Sequence, residues 1–336
     1  MKSITRSLAL ALFASLLIIP AAASATERRV ALGISEYDVS HVTVLDRNIN
    51  AVEQNKAAVG RYPAIWAIWS DWGGPDKDFP STFVSQLHDR GITPMFNWEP
   101  TNPNNPFDCN HFALQNTLNG DFYTYIRDWA TAAKSFGHTI LLRLAHEMNG
   151  NWFVWGENLC TNGDGAKYKL FWRYVWNIFQ DVGATNVKFL WSIYGAHRIK
   201  AYYPGDAYVN YIGFTAFNWG PNPVGASAPW SNNMVNHFQG PIKAIRKKIS
   251  KTIPMIAAEM GSAPPPANCS TCSKTKYIAN GYPNVYAKWP QLVAIVYFDV
   301  DTRPSQQPDW RLSSPPSALA AYAAIAAQSR FQGTIP

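Results

Sequence analysis

Two glutamates stand at the ends of apolar segments and could carry acid, base or nucleophile chemistry. Glu147 follows the apolar run 140–144 and is flanked by a histidine, an asparagine and two tryptophans. Glu259 is the only charged residue of the segment 253–261 and ends a second apolar run. A pair of carboxyl groups can protonate a glycosidic oxygen and attack the sugar carbon attached to it. The pattern therefore predicts a carbohydrate hydrolase in which two distant segments bring their carboxyls together.

Short apolar segments that alternate with segments of helical spacing must position these two glutamates. The predicted strands cover residues 30–35, 64–70, 93–98, 139–146, 187–194, 211–218, 254–259 and 293–299. The predicted helices cover residues 46–59, 80–91, 121–136, 166–182, 206–209, 231–251, 274–288 and 315–330. Several strands are apolar almost throughout, which is typical of a parallel sheet buried on both faces. Eight βα units predict an α/β fold, a (β/α)8 TIM barrel formed by a single domain.

The alternative of a doubly wound open sheet is less economical for this chain. Such a sheet would normally carry a glycine-rich phosphate turn after its first strand. The segment 33–37, Gly-Ile-Ser-Glu-Tyr, does not provide one.

Aromatic and polar residues are concentrated where the predicted strands end, which is where active residues of such barrels gather. The chain has 14 tryptophans but only 15% charged residues. This composition favours a cleft that stacks indole rings on sugar faces. The residues predicted to bind substrate are His146, Trp98, Asn149, Trp152, Trp155, Asn218, Trp219, Tyr194 and Arg143. Three tryptophans inside helices, Trp129, Trp172 and Trp176, are assigned to the core instead.

The alternation of side chains along a strand supports the two glutamates as partners. It predicts that Glu147 shares a side with Ala145 and Arg143, and that Glu259 shares a side with the residues two and four positions before it. An arginine inside a barrel is costly unless a carboxylate pairs with it. We therefore expect Arg143 to pair with one of the glutamates, lower the pKa of that carboxyl and keep it ionised.

The segment 143–155, Arg-Leu-Ala-His-Glu-Met-Asn-Gly-Asn-Trp-Phe-Val-Trp, resembles the signature of glycoside hydrolase family 26, best known for endo-β-1,4-mannanases. Shorter similar pieces occur at residues 94–100, 203–214, 258–261 and 309–312. The resemblance implies a (β/α)8 barrel and hydrolysis with retention of the anomeric configuration. It also implies Glu147 as general acid and base, Glu259 as nucleophile, and His146 as a residue that contacts the sugar.

Two departures from the family pattern affect what the resemblance implies. The family usually has a tyrosine at the end of strand six that hydrogen-bonds the nucleophile, whereas this chain has Phe217 there. Either Tyr194 or Tyr297 then takes that role, or the nucleophile is tuned differently. The sequences around Trp98 and Glu147 look closer to the branch that acts on mixed-linkage β-glucan.

The predicted activity is endo-hydrolysis of a β-1,4-linked mannan-type polysaccharide by double displacement. The alternatives are a mixed-linkage β-1,3-1,4-glucanase, a β-1,3-xylanase or an exopolysaccharide hydrolase. A third possibility, from another class, is a polysaccharide-binding protein that kept the barrel and lost turnover. We expect the protein to need no metal or cofactor and to act as a monomer.

The beginning of the chain has the pattern of an export signal. Basic residues precede an apolar stretch from Leu8 to Ile19, and Ala-Ser-Ala at 23–25 fits signal peptidase. Residues 1–25 are interpreted as a cleaved signal peptide and residues 26–336 as the catalytic domain, secreted or periplasmic. No other stretch approaches the roughly 20 apolar residues that span a membrane.

The charge of the chain argues against nucleic acid as a partner. The formal net charge is +7, of which Lys2 and Arg6 leave with the signal, and the basic run 246–248 is short. Such a mild positive field is compatible with an acidic polysaccharide but does not require one.

Four cysteines, Cys109, Cys160, Cys269 and Cys272, follow the predicted signal in an exported chain, where disulfides persist. Four cysteines allow three pairings. We favour Cys109 with Cys160 and Cys269 with Cys272, because the last two lie in one short loop. A zinc site that uses Cys269 and Cys272 is the alternative, but the chain lacks a second Cys-x-x-Cys or a paired histidine motif.

Overall fold

The computed structural model describes residues 27–36, 47–157, 159–160, 163–220 and 230–335. The signal peptide predicted for residues 1–25 lies outside the described residues. Within these ranges no helix is long and apolar enough to cross a membrane.

Eight parallel strands form a closed barrel in which each strand pairs with its neighbours in the chain and β8 pairs with β1. The strands are β1 Ala31–Ser35, β2 Ile65–Asp71, β3 Thr93–Glu99, β4 Ile140–Leu144, β5 Val187–Tyr194, β6 Tyr211–Asn218, β7 Met255–Ser262 and β8 Leu292–Phe298. This architecture confirms the predicted (β/α)8 barrel.

The helices lie between the strands. They are α1 Ile49–Val59, α2 Ser81–His88, α3 Leu114–Asn119, α4 Tyr123–Phe136, α5 Gly165–Val182, α6 Ile199–Tyr202, α7 Met234–Lys248, α8 Lys274–Lys288 and α9 Pro316–Ala326. The sequence did not predict the short α3 and α6, which have too few turns to display a helical period. Short 3-10 turns cover Asp206–Tyr208, Arg303–Ser305 and Ser329–Phe331.

The boundaries of the longest helix follow from local chemistry. The Asp164 side chain precedes α5 and accepts a hydrogen bond of 2.9 Å from the backbone N–H of Lys167. Gly183 ends the helix with φ 78°, a left-handed conformation that favours glycine. One face of α5 is buried and packs Phe171, Trp172 and Val175 against the barrel.

Two layers of apolar packing hold the barrel. Small and medium side chains fill its interior: Ala31, Ala67, Met95, Leu141, Leu190, Ile256, Ala258, Ala294 and Val296. A larger layer lies between the strands and the helices and includes Trp129 and Trp172, as predicted. Trp176 is only partly buried and packs on the margin of that layer. The side of a strand on which a residue lies therefore decides whether its side chain faces the barrel interior or the surrounding helices.

Both cysteine pairs form disulfides, so the favoured pairing is confirmed and the zinc alternative is wrong. Cys109–Cys160 joins the loop after β3 to the loop after β4, with Cα atoms 5.3 Å apart. Cys269–Cys272 closes a loop of its own between β7 and α8.

Candidate active site

Glu147 and Glu259 line the same cleft at the carboxyl-terminal end of the barrel. The cleft has a volume of about 380 Å³. The two glutamates are only 7% and 8% exposed, so each carboxyl is mostly removed from water but open to the cleft. The central expectation from the sequence, that the two carboxyls share one groove, therefore agrees with the geometry.

Glu147 reaches the cleft through an irregular backbone and not by strand alternation. Strand β4 ends at Leu144, and both Ala145 (φ 39°) and Glu147 (φ 52°) adopt left-handed conformations. Ala145 packs in the outer apolar layer, so the prediction that it shares a side with Arg143 is wrong. Backbone hydrogen bonds to neighbouring strands, from Glu147 to Ser192 at 2.8 Å among them, hold this conformation. Left-handed non-glycine residues are strained and cluster at functional sites.

Glu259 reaches the cleft because strand β7 contains a bulge. The register along β6 pairs Phe214 with Ala257 and then Thr215 with Glu259, which leaves Ala258 as an extra residue. Ala258 packs in the barrel interior, whereas Ala257 packs in the outer layer. The prediction that Met255, Ala257 and Glu259 share a side is therefore wrong, because the bulge reverses the alternation just before Glu259.

Arg143 is fully buried beneath the cleft and contacts both carboxyls. Its Nη1 donates to Glu259 Oε2 at 2.7 Å and to Asn97 Oδ1 at 3.0 Å. Its Nη2 donates to Thr215 Oγ1 at 3.2 Å and lies 3.8 Å from Glu147 Oε1. A bond to an ionised partner is stronger than a neutral one, so the guanidinium stabilises negative charge mainly on Glu259.

Glu147 accepts hydrogen bonds from two sides. Thr215 Oγ1 donates to its Oε1, and Trp152 Nε1 donates to its Oε2 at 3.0 Å. Burial, and then the negative charge of Glu259, raises the pKa of Glu147 to about 7. A carboxyl with such a pKa can hold a proton near neutral pH and release it during turnover.

The rest of the cleft is mainly aromatic. Its walls are formed by Trp69, Trp152, Tyr194, Phe217, Trp219, Phe298 and Trp310, with Thr302 and Gln307 at one edge. Among the described residues that line it, the charged ones are the two glutamates. Such a lining suits a neutral ligand with apolar C–H faces and hydroxyl edges.

A second depression continues the cleft beyond Trp152 and Tyr194, which line both. It also has a volume of about 380 Å³, and Asn149, Glu157 and His197 are among its walls. The Asn149 side chain bonds the backbone N–H and C=O of Tyr194 and the C=O of His197. Asn149 therefore fixes the wall of this depression.

Besides Arg143, four residues predicted to contact substrate lie behind the walls instead and are at most 1% exposed: Trp98, Trp155, Asn218 and His146. Trp98 is fully buried, and its Nε1 donates to Tyr125 Oη at 3.1 Å. Trp155 is fully buried beneath the His146 backbone, and Asn218 bonds the C=O of Ser231 and the hydroxyl of Ser262. Their placement supports a structural role and not the substrate contact expected from the sequence.

Trp98 and Asn218 share one physical reason for this correction. Each directly follows an inward-facing residue of its strand: Trp98 follows Asn97 on β3, and Asn218 follows Phe217 on β6. Alternation therefore turns them away from the barrel axis. Trp152, Trp219 and Tyr194, by contrast, line the cleft as expected.

The sequence reasoning did not single out several residues that build the cleft. Thr215 lies two positions before the inward-facing Phe217 on β6, so alternation could have found it. Trp310 and Gln307 come from the loop after β8, which carries no periodic signal. Phe298 ends β8 as an apolar residue and was not distinguishable from the core by sequence.

A comparison with protein-family models matches residues 101–258 to the family described as glycosyl hydrolase family 26. The matched segment contains both Arg143 and Glu147, and it ends one residue before Glu259.

The matched segment, a little under half of the chain, is similar to glycoside hydrolase family 26.

Curated relatives differ in how much of this chain they match. "Endoglucanase H" of Acetivibrio thermocellus is 28% identical over 81% of the chain, which spans 28% of that relative's length. A "Mannan endo-1,4-beta-mannosidase" of Bacillus subtilis strain 168 is 26% identical over 57% of the chain and 59% of its own length. The chain thus spans a little over a quarter of the first relative and less than two thirds of the second.

Solved structures of family 26 share the fold. A β-mannanase from Bacteroides ovatus has a TM-score of 0.63 at 15% identity and covers 91% of each chain. A Bacillus subtilis mannanase has a TM-score of 0.60 at 18% identity and covers 92% of this chain and 88% of its own. At these identities the likeness concerns the barrel alone.

The tyrosine expected near the nucleophile of a family 26 protein has no direct counterpart here. The Tyr297 hydroxyl donates to the C=O of Trp310 at 2.9 Å and accepts from the N–H of Ser262. Tyr194 lines the cleft and packs edge-on against Trp152, with ring centroids 4.8 Å apart. Among the described contacts of Glu259, the hydrogen bond comes from Arg143. Among the described contacts, neither tyrosine has a hydrogen bond with Glu259.

Proposed function

We propose that this protein is a member of glycoside hydrolase family 26 and that it hydrolyses internal bonds of a neutral β-linked polysaccharide with retention of configuration. The observation that carries the proposal is that Glu147 and Glu259 face one cleft and contact one buried guanidinium, that of Arg143. A shared guanidinium keeps the two carboxyls close, but the distances to it differ, so their environments differ too.

The roles of the two carboxyls follow from these environments. Glu259, the closer of the two to Arg143, attacks the anomeric carbon as a carboxylate and forms a glycosyl–enzyme ester. Glu147 gives its proton to the departing glycosidic oxygen. In the second step Glu147 takes a proton from water, and the water oxygen displaces Glu259 from the anomeric carbon.

The shape of the cleft supports action on internal bonds. Trp152, which donates a hydrogen bond to Glu147, also lines the second depression, so this depression can hold the leaving-group sugars. The aromatic lining of the main cleft can hold the sugars on the other side of the cleaved bond. The absence of lysine and arginine from the described lining favours a neutral chain over an acidic one.

The substrate we propose is a β-1,4-linked mannan. Mannan endo-1,4-β-mannosidases recur among the curated relatives. A mixed-linkage β-glucan is the second candidate, because a relative that is similar over 81% of this chain is named an endoglucanase. Incubation with mannan, lichenan and β-1,3-xylan side by side, with sizing of the products, separates these candidates.

Replacement of either carboxyl tests the mechanism. Glu259→Ala should abolish turnover, and Glu147→Ala should retain slow activity only on aryl glycosides with good leaving groups. Glu53→Ala, which removes an exposed carboxyl bonded to Arg90, is the matched control and should behave as wild type. Wild-type rates on polysaccharide in either cleft variant would refute the assignment, and binding without any product would indicate a carbohydrate-binding protein.

The stereochemical outcome has its own measurement. Proton NMR of the first product should show the β-anomer before mutarotation. Immediate appearance of the α-anomer would indicate single displacement by water.

We further propose that residues 1–25 are an export signal and that residues 26–336 act as a secreted or periplasmic monomer. The two disulfides support an oxidising compartment. N-terminal sequencing of the protein from a secreting host and size-exclusion chromatography test these statements.

A further inference from the structure

A second group of ionisable side chains lies directly behind the cleft. Asp71 and Glu99 are the last residues of β2 and β3 and are paired in register. Glu99 is buried, and its Oε1 lies 3.6 Å from Nδ1 of His146, the residue next to Glu147. The proposed mechanism uses none of these three side chains.

Two buried atoms in this group lack a partner. Both Glu99 Oε1 and His146 Nδ1 are removed from water without a hydrogen bond among the described residues. An unsatisfied buried polar atom is costly, and such groups in native proteins call for an explanation. Closing a gap of 3.6 Å by a few tenths of an ångström would satisfy both atoms at once.

The ionisation of the group decides where its protons are. Burial, and then the charge of Asp71, raises the pKa of Glu99 well above its usual range, while Arg143 opposes this and Glu259 adds to it. Burial raises the pKa of Asp71 to about 6; the hydrogen bond with Glu99 and then Arg47 oppose this shift. Near neutral pH, Glu99 therefore carries the proton and donates it to the Asp71 carboxylate.

The other proton of this group is the N–H proton of the His146 ring. Burial, and then the positive charge of Arg143, lowers the pKa of His146 well below its usual range, so the ring is neutral. Because Glu99 donates its carboxyl proton to Asp71, its other oxygen, the carbonyl, can only accept a hydrogen bond. The partner of that oxygen must then be an N–H at Nδ1 of His146.

We propose that Glu99 is a positioning residue, which accepts a hydrogen bond from Nδ1–H of His146 while it donates to Asp71. This chain fixes the tautomer and the orientation of the imidazole. The ring contacts Trp69, a wall of the cleft, edge-on at 5.7 Å. His146 directly precedes Glu147, whose backbone is left-handed. An oriented imidazole ring therefore also fixes the position of the Glu147 carboxyl in the cleft. The kinetic part of this inference rests on the proposed function.

Nitrogen NMR gives a readout that does not depend on turnover. The chain has seven histidines, so the His146 signals are assigned by their loss in His146→Gln. In protein labelled with ¹⁵N-histidine, wild type should show the neutral Nδ1–H tautomer at His146. Glu99→Ala should lose that preference, and the control Glu53→Gln should not. A neutral Nε2–H tautomer, or a doubly protonated ring, in wild type would overturn the proposal.

Activity separates positioning from a merely structural role. Glu99→Gln keeps a donor for Asp71 and a carbonyl for Nδ1–H, so its kcat should stay within about threefold of wild type. Glu99→Ala should lower kcat by about 10- to 100-fold with a smaller change in KM, because the acid–base carboxyl is misplaced. Equal losses in both variants, or none in Glu99→Ala, would contradict the proposal. If wild type cleaved no glycan, the proposed function would fail while the tautomer result would stand on its own.

Discussion

The carboxylate of Glu259 receives a hydrogen bond of 2.7 Å from Arg143, although the two residues are 116 positions apart in the chain. The same guanidinium lies 3.8 Å from Glu147. This asymmetry gives two chemically identical side chains different surroundings, because the closer one accepts a hydrogen bond from the guanidinium. Burial, and then the negative charge of Glu259, raises the pKa of the farther carboxyl, Glu147, to about 7.

The pH dependence of hydrolysis should report the proton on Glu147. Activity requires that proton on the free enzyme, so kcat/KM should fall as pH rises through about 7, by about tenfold per unit beyond it. The profile of kcat/KM from about pH 5 to pH 9 on a soluble polysaccharide measures this. A flat profile across neutral pH would contradict the assignment of Glu147 as the acid.

Trp152→Phe should move that alkaline limb upward. The indole N–H bonds the Glu147 carboxyl and favours its ionised form, so its removal raises the pKa of Glu147 further. We expect a shift of about half to one pH unit. Trp219→Phe alters the other wall of the cleft and is the control: it should leave the limb in place. An equal shift in both variants would show that the Trp152 bond has no special effect.

Arg143→Met should damage both activity and stability. The variant leaves buried carboxyls without the cation that contacts them, and the loss of a buried partner costs about 3–5 kcal/mol. Removing the positive charge also raises the pKa of Glu147. Urea unfolding and kcat measure the two effects. Arg90→Met, which breaks the exposed pair with Glu53, should change neither appreciably.

Alanine at Trp98 and at Trp219 should have opposite signatures. Trp98 is fully buried, so Trp98→Ala leaves a cavity and lowers the free energy of unfolding by about 3–5 kcal/mol. Trp219 lines the cleft, so Trp219→Ala should lower kcat/KM by about tenfold with little loss of stability. Denaturant unfolding and steady-state kinetics on both variants measure these effects. A stable Trp98→Ala protein with impaired binding would instead support the sequence-based prediction that Trp98 contacts substrate.

The two disulfides should differ in what they contribute to stability. Cys109–Cys160 closes 51 residues, so replacing both by serine should lower the free energy of unfolding by about 3–4 kcal/mol. Cys269–Cys272 spans three residues, and its removal should cost less because it restricts the unfolded chain less. Denaturant unfolding of the two double variants makes the comparison. An equal loss in both would mean that native-state packing, and not chain entropy, dominates.

The fold and the two glutamates were accessible from sequence because both depend on strong local signals. Apolar runs fixed the number of strands, and a charged residue at the end of each of two runs marked Glu147 and Glu259. The cysteine pairing followed from loop proximity. None of these inferences needed the detailed path of the backbone.

Predictions from the sequence were wrong where the backbone departs from a regular strand. They were also wrong where the alternation of side chains along a strand was not applied strictly. Ala145 and Ala258 interrupt the alternation just before each glutamate, and alanine carries no signal of a left-handed or bulged conformation. Trp98 is predicted to bind substrate because it lies near the end of a strand. However, it follows the inward-facing Asn97, so alternation along the strand directs its side chain outward. The trio of Asp71, Glu99 and His146 became visible only when register brought β2 beside β3.

The extra residue in β7 has a consequence for protein engineering. Grafting this strand, with every residue kept, into a barrel whose strand seven is regular would direct Glu259 toward the surrounding helices, whereas deleting Ala258 would restore the alternation and leave Glu259 facing inward. A homology model that smooths the irregularity would make the same error while preserving every amino acid. The direction of Glu259 thus depends on how the backbone accommodates one extra alanine, and this is a property that substitution of side chains does not reveal.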